Sequence, residues 1–127
     1  VNVQADRDLL QRVLSNVIGN AVQNTPEGGI IKIQSEEHKN LRLNILNTGA
    51  HIPDEVIARI FEPFFRIDIA RTGNTGSGLG LAIVKKALDR MAVPFALENC
   101  PEGVIFRMDF IVCRQEDSGL PGNVVSL

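Results

Sequence analysis

Asp6-Arg7-Asp8-Leu9-Leu10-Gln11-Arg12-Val13-Leu14-Ser15-Asn16-Val17-Ile18-Gly19-Asn20-Ala21-Val22-Gln23-Asn24, residues 6–24, carries two patterns at once. Leu9, Leu10, Val13, Leu14, Val17, Ile18 and Ala21 recur at helical spacing and give one apolar face for a core. Asp6 with Asp8 supplies an N-cap and an acidic first turn, and the helix is expected to run to about Gln23. Beside the apolar face stand Asn16, Asn20 and Asn24, four apart, so their side chains line a single stripe. Asparagine is a mediocre helix former, and a carboxamide oxygen is a neutral hard ligand acceptable to a divalent cation. A solvated polar face is the competing reading of the stripe.

Upstream, Val1 to Ala5 alternates apolar and polar residues; downstream, Thr25-Pro26-Glu27-Gly28-Gly29 ends the helix in a turn. Ile30–Gln34 and Leu41–Leu46 read as a strand pair joined by a hairpin through Glu36 to Asn40. Pro53 stands where helices begin, and Asp54 to Ile60 reads as a short helix leading into Phe61, Pro63, Phe64 and Phe65. Arg66 to Gly78 loses hydrophobic periodicity and collects glycine, threonine and asparagine, the pattern of a long mobile loop. Leu79 to about Met91 restores a helix, and Phe95–Glu98 with Val104–Val112 forms a closing strand pair that turns at Pro101–Gly103.

The expected architecture is an α/β two-layer sandwich, with about three helices on one face of a mixed, mostly antiparallel sheet. One domain over residues 1–113 and a flexible tail over 114–127 are expected, since the chain is polar from about Gln115 and carries Gly119, Pro121 and Gly122. With 127 residues, 44% of them hydrophobic, there is apolar material for one core. A net charge of −2 spread over interspersed acids and bases gives no field suited to nucleic acid or an anionic membrane. No apolar stretch approaches the ~20 residues that span a bilayer, so a soluble fragment is expected. Cys100 and Cys113 have neither metal-ligand spacing nor disulfide-scaffold density and are expected to be free thiols in a reducing compartment.

Three further segments carry chemistry. Asn47-Thr48-Gly49, followed by Ile52-Pro53, puts a polar side chain at a strand's carboxyl end, where a base edge could be read; Gly49 lets backbone approach a ligand closely. An ordinary strand-to-helix turn would use the same residues. Gly76-Ser77-Gly78-Leu79-Gly80-Leu81 leads into a helix whose N-terminus favours phosphate, although its lysine and spacing fit neither a Walker loop nor a dinucleotide fingerprint. In Phe61-Glu62-Pro63-Phe64-Phe65-Arg66, with Arg71 beyond, the aromatics are expected to pack and anchor the loop while the two arginines reach phosphates.

Taken in order, these segments resemble the nucleotide-binding boxes of the GHKL ATP-binding fold, in the form found in bacterial two-component sensor histidine kinases. Asp8–Asn20, Ile60–Arg66 and Gly76–Lys85 fit best, and the similarity spans roughly Val1 to Val112. The Asn-Thr-Gly turn with Ile60-Phe61-Glu62-Pro63-Phe64-Phe65-Arg66 is especially similar to the vancomycin-resistance sensor branch. The resemblance implies ATP and Mg²⁺ as ligands, with Asn20 on the metal and Asn16 on phosphate oxygens or metal-bound water. It places Arg66 and Arg71 near the phosphates as catalytic groups, and Gly76, Ser77, Gly78, Leu79, Gly80 and Leu81 under a closing lid. Gln23, Asn24, Asn47, Gly49, Ile52 and Phe64 complete the implied nucleotide site.

It also implies a histidine-containing dimerisation domain as phosphoacceptor, a response regulator downstream, and a homodimeric bacterial membrane receptor of which this chain is a cytoplasmic piece lacking the family's first helix and strand. The sequence departs from the family at Asn47, where an aspartate is usual, at His51 for a glycine, at Gln23 for a lysine, and at Met91-Ala92-Val93 for His-Gly-Gly. His38 and His51 lack the setting of a phosphoacceptor and read as loop residues. An ATPase clamp of the same fold, an anti-sigma-type serine kinase and a nucleotide-binding module without transfer are the alternatives. The clamp needs a general-base glutamate one helical turn before the metal asparagine, where this chain has Asn16.

Overall fold

The computed structural model describes residues 1–65, 80–113 and 124–127. Its elements run β1 (Asn2–Gln4), α1 (Arg7–Asn24), β2 (Ile31–Glu37), β3 (Asn40–Thr48), α2 (Asp54–Ile57), α3 (Gly80–Arg90), β4 (Phe95–Cys100), β5 (Gly103–Ile111) and β6 (Val124–Ser126). Helix α1 begins where the sequence places it, with the Asp6 carboxylate accepting from the Leu9 N–H at 3.0 Å. Thr25 closes it, its hydroxyl donating to the Ala21 carbonyl at 2.6 Å. The helix before Phe61 is shorter than expected, because after Ile57 the chain turns through Ala58 to Phe61 rather than completing a further helical turn.

Four strands form one sheet in the order β2-β3-β5-β4, and every pairing among the described residues is antiparallel. Alternation then sorts side chains by face. Leu41, Leu43 and Ile45 of β3 and Phe106, Met108 and Phe110 of β5 point inward and pack with Leu10, Val13 and Val17 of α1 and Val84 and Leu88 of α3. On the outer face Arg42 holds Asp109 through two bonds, Nε to Oδ1 at 2.8 Å and Nη2 to Oδ2 at 3.2 Å. That contact raises the guanidinium pKa above its ordinary value. The result is the two-layer sandwich with helices on one face that the sequence implies.

Two expectations are corrected. The C-terminal residues are not all frayed: β6 pairs antiparallel with β1, Val3 opposite Val125, and the N-terminal ammonium donates to the Leu127 carbonyl at 3.1 Å. Residues 114–123, which carry the rest of the expected tail, lie outside the described residues, as do residues 66–79 with the expected loop. Phe64 does not pack. It sits at φ 66°, a left-handed conformation that turns its ring outward, 72% exposed. The anchor is Phe61, edge-on to Phe95 at 5.4 Å and to Phe106 at 6.3 Å, while Phe65 lies under the Arg59 guanidinium at 4.8 Å.

Helix α3 ends in a Schellman turn. The Val93 N–H donates to the Leu88 carbonyl at 2.9 Å and the Ala92 N–H to the Asp89 carbonyl at 3.1 Å, while Leu88 and Val93 are buried together in the core. The left-handed position, φ 55°, is occupied by Ala92 rather than by glycine. Cys100 and Cys113 are not bonded to each other.

Candidate nucleotide site

The sheet's inner face supplies a floor at the carboxyl end of β3. Strand register sets Asn47, Val104 and Asn99 in one cross-strand row, and Ile45, Phe106 and Leu97 in the next. Above them a cavity of about 160 Å³ is walled by Val17, Asn20, Ala21 and Asn24 of α1, by Leu81 of α3, and by Ala50 to Pro53. Its walls are mainly aliphatic and aromatic, with the amides of Asn20, Asn24 and Asn47 at defined places; an apolar cleft with a few convergent polar groups is what orients a planar polar ligand. The volume is close to that of cavities known to admit one aromatic ring.

Asn47 is buried, 9% exposed, and so presents its amide to the cavity rather than to bulk water. The turn after it is tightly held. A Cβ on Gly103 would collide with the Asn47 carbonyl oxygen and would lie 2.9 Å from Thr48 Cα, so only glycine lets β5 approach there. Gly49 adopts φ 136° and donates its N–H to the Glu102 carbonyl at 3.4 Å.

The asparagine stripe is oriented by its own helix. Asn16 Nδ2 donates to the Arg12 carbonyl at 2.9 Å and Asn24 Nδ2 to the Asn20 carbonyl at 2.8 Å, which commits each amide nitrogen to the backbone one turn back and leaves each oxygen as the free end. Asn16 Oδ1 faces the start of α3, 3.4 Å from where a Cβ on Gly80 would stand. No group of three or more His, Cys, Asp and Glu side chains gathers among the described residues. The oxygen donors at the cavity mouth are therefore amides, a donor set that fits a hard cation shared with a polyanionic ligand better than a cage of the protein's own charges.

The structure brings together Asn20, Asn24, Asn47, Ile52 and Leu81, with Asn16 and Gly80 adjacent. It does not bring Gln23, Gly49 or Phe64 to the cavity wall; Gln23 and Phe64 are exposed. Arg66, Arg71, Gly76, Ser77, Gly78 and Leu79 lie outside the described residues. Sequence reasoning missed Leu97, Val104, Phe106, Ala50 and Pro53 as lining residues, took Val17, Ala21 and Ile45 for core or strand positions alone, and read His51, which also lines the cavity, as an ordinary loop residue. For the strand residues the signal was available: alternation in β4 and β5 puts them on the same face as Asn47.

The family described as histidine kinase-, DNA gyrase B-, and HSP90-like ATPase matches residues 5–113. Sensor protein VanSB of Enterococcus faecalis is 53% identical over 109 residues, covering 84% of this chain and 24% of the relative. The nucleotide-free catalytic domain of histidine kinase ThkA superposes with a TM-score of 0.73 at 35% identity, over 86% of this chain and 70% of that one. Full-length ShkA in complex with AMPPNP superposes with a TM-score of 0.72 at 29% identity, over 87% of this chain and 23% of that one. The chain spans about a quarter or less of the length of most of the curated relatives it matches.

Proposed function

Since the chain belongs to the histidine kinase-, DNA gyrase B- and HSP90-like ATPase family, we propose that it binds ATP with Mg²⁺ and donates the γ-phosphoryl group to a histidine on a separate dimerisation domain. The observation that carries this reading is the apolar cavity with the buried Asn47 amide in its floor and an asparagine stripe at its mouth. The adenine ring occupies the cavity against Ile45, Leu97 and Phe106, and Asn47 Oδ1 accepts from the exocyclic amine. The triphosphate leaves past Asn20 and Asn16 toward the N-terminus of α3, whose dipole favours anions.

Asn20 would hold Mg²⁺ through its amide oxygen, and Asn16 would contact a phosphate oxygen or a water on the metal. Bound Mg²⁺ supplies neutralisation of phosphate charge. Arg66 and Arg71 would add cationic donors for the phosphates, and Gly76, Ser77, Gly78, Leu79, Gly80 and Leu81 would complete the phosphate-binding residues by their resemblance to the family's. An imidazole nitrogen of the acceptor attacks the γ-phosphorus in line, the bond to the β–γ bridging oxygen breaks, and ADP leaves, so the protein's contribution is positioning and charge stabilisation. Residues 1–113 form the catalytic unit, which belongs to the cytoplasmic side of a dimeric membrane sensor that passes phosphate to a response regulator. That relatives of the chain are sensor proteins supports that setting.

Hydrolysis by the chain alone is disfavoured because Asn16 stands where a clamp-type ATPase has its base, and an amide has no useful basicity at neutral pH. The test is incubation with labelled ATP and Mg²⁺, alone and with a matching histidine-containing dimerisation domain. Acid-labile, base-stable label on the partner, with little turnover by the chain alone, is the expected result. Rapid steady-state hydrolysis without a partner would move the reading to the ATPase clamp.

A further inference from the structure

Asn99 is the last inward-facing residue of β4, in the same cross-strand row as Asn47 with Val104 between them. Its side chain makes a reciprocal pair with one backbone unit: the Ile52 N–H donates to Asn99 Oδ1 at 2.8 Å, and Asn99 Nδ2 donates to the Ile52 carbonyl at 2.8 Å. Only one of the two amide orientations satisfies both bonds, and among natural side chains of this length only a carboxamide offers an acceptor and a donor side by side at neutral pH. The same end of β4 makes a second tie, His51 Nε2 to the Cys100 carbonyl at 2.7 Å.

We infer that Asn99 is a positioning residue for the turn that follows Asn47: by pairing with both backbone polar groups of Ile52 it holds that end of the turn against β4, and so sets the Ala50–Pro53 wall of the cavity against which the purine lies beside Asn47. The inference rests on the proposed nucleotide reading of the cavity. One consequence is immediate. With its N–H engaged, Ile52 has no backbone donor left for a ligand, so a donor to the base has to come from elsewhere on the wall. Asn99 itself lies outside the cavity wall and acts through Ile52, which lines it.

The test is calorimetric titration of the chain with ATP and Mg²⁺, comparing Asn99→Asp and Asn99→Ala with the unaltered chain at pH 7.5 and pH 5. An aspartate at neutral pH keeps an acceptor for the Ile52 N–H but turns a second, charged oxygen toward the Ile52 carbonyl. Once protonated it can donate there and rebuild the pair. Asn99→Asp is therefore expected to weaken ATP binding by roughly tenfold at pH 7.5 and to recover part of that loss at pH 5, because partial burial and the facing Ile52 carbonyl raise the carboxyl pKa and favour the protonated acid, while Asn99→Ala shows no such recovery. Stoichiometry counts folded chains and is expected to hold, which separates a misplaced turn from an unfolded protein. If Asn99→Asp does not fold, Asn99→Ser, with one hydroxyl able to serve one of the two Ile52 groups at a time, is expected to show an intermediate, pH-independent loss. Unchanged affinity in these variants, or a deficit in Asn99→Asp that acid does not relieve, overturns the inference. Absence of ATP binding by the unaltered chain would instead overturn the nucleotide reading itself.

Discussion

Replacing Asn47 with aspartate separates two effects of opposite sign. In the free protein the new carboxylate would sit where Asn47 is 9% exposed, between an aliphatic floor and the turn. Leaving a charged acceptor there without a full set of donors costs on the order of 1–3 kcal/mol, which for a chain of this size lowers Tm by roughly 3–15 °C. Burial raises the carboxyl pKa. The penalty is then present at pH 7.5 and fades as pH falls through the folded-state value, because the folded protein binds the proton more tightly than the unfolded chain does. With ATP bound, the carboxylate accepts from the adenine amine as a charged partner, worth ~1.5–3 kcal/mol against ~0.5–1.5 for the amide. The gain corresponds to up to about tenfold in affinity. Differential scanning calorimetry without nucleotide and isothermal titration with it read the two effects separately. A variant that is less stable but binds ATP more tightly is expected. Weaker binding would refute the reasoning, since it would mean that Asn47 works through its Nδ2 as a donor, which a carboxylate cannot replace.

Asn20→Ala is expected to abolish the Mg²⁺-dependent part of ATP binding while leaving Tm within a few degrees, because Asn20 is half-buried at the cavity mouth and contributes no core packing; titrations with and without Mg²⁺ check it. Ala92→Gly should stabilise the fold by about 0.5–1 kcal/mol, the left-handed penalty of a Cβ at φ 55° less the added backbone entropy of glycine, read as a higher urea midpoint. Gly103→Ala should destabilise by at least about 1–3 kcal/mol, since its Cβ meets the Asn47 carbonyl and Thr48 Cα, both backbone atoms that cannot rotate away. Nucleotide affinity should fall with it, measured under conditions where the variant is still folded.

Helix α1 was legible because independent signals agree within one segment: the Asp6 cap, the apolar face and the Thr25-Pro26 turn are all local. Strand β5 was legible as a strand for the same reason, although the alternation of Phe106, Met108 and Phe110 with Arg107 and Asp109 was not used to assign its faces. Phe64 was misread because residue type argues for burial, whereas its exposure follows from backbone handedness at a single position. Strand β6 escaped because Val124 to Ser126 is too short to show a period and its partner lies at the other end of the chain. At the site, the asparagine spacing and the Asn47 turn pointed to residues that the fold gathers around one cavity. The reciprocal pair between Asn99 and Ile52 could not be read, since nothing in a sequence sets two residues 47 positions apart at 2.8 Å.

The β1–β6 ladder has a kinetic consequence. It joins residues as far as 126 positions apart, and bringing the ends of so long a span together costs ~4 kcal/mol of closure entropy by the logarithmic scaling of loop length. Three residue pairs offset little of that on their own, so the ladder depends on the rest of the domain having already drawn the ends together. It should form last during folding and open first in the native state. When it opens, β1 stays attached through the Val3 bridge to Val112 and the Cys113 N–H donated to the Asn2 carbonyl at 2.8 Å. The strand that leaves is β6, and the four-stranded sheet beneath the cavity is untouched. Amide exchange at Val124 to Ser126 should therefore run faster than at Phe106 or Met108 without any change in the site.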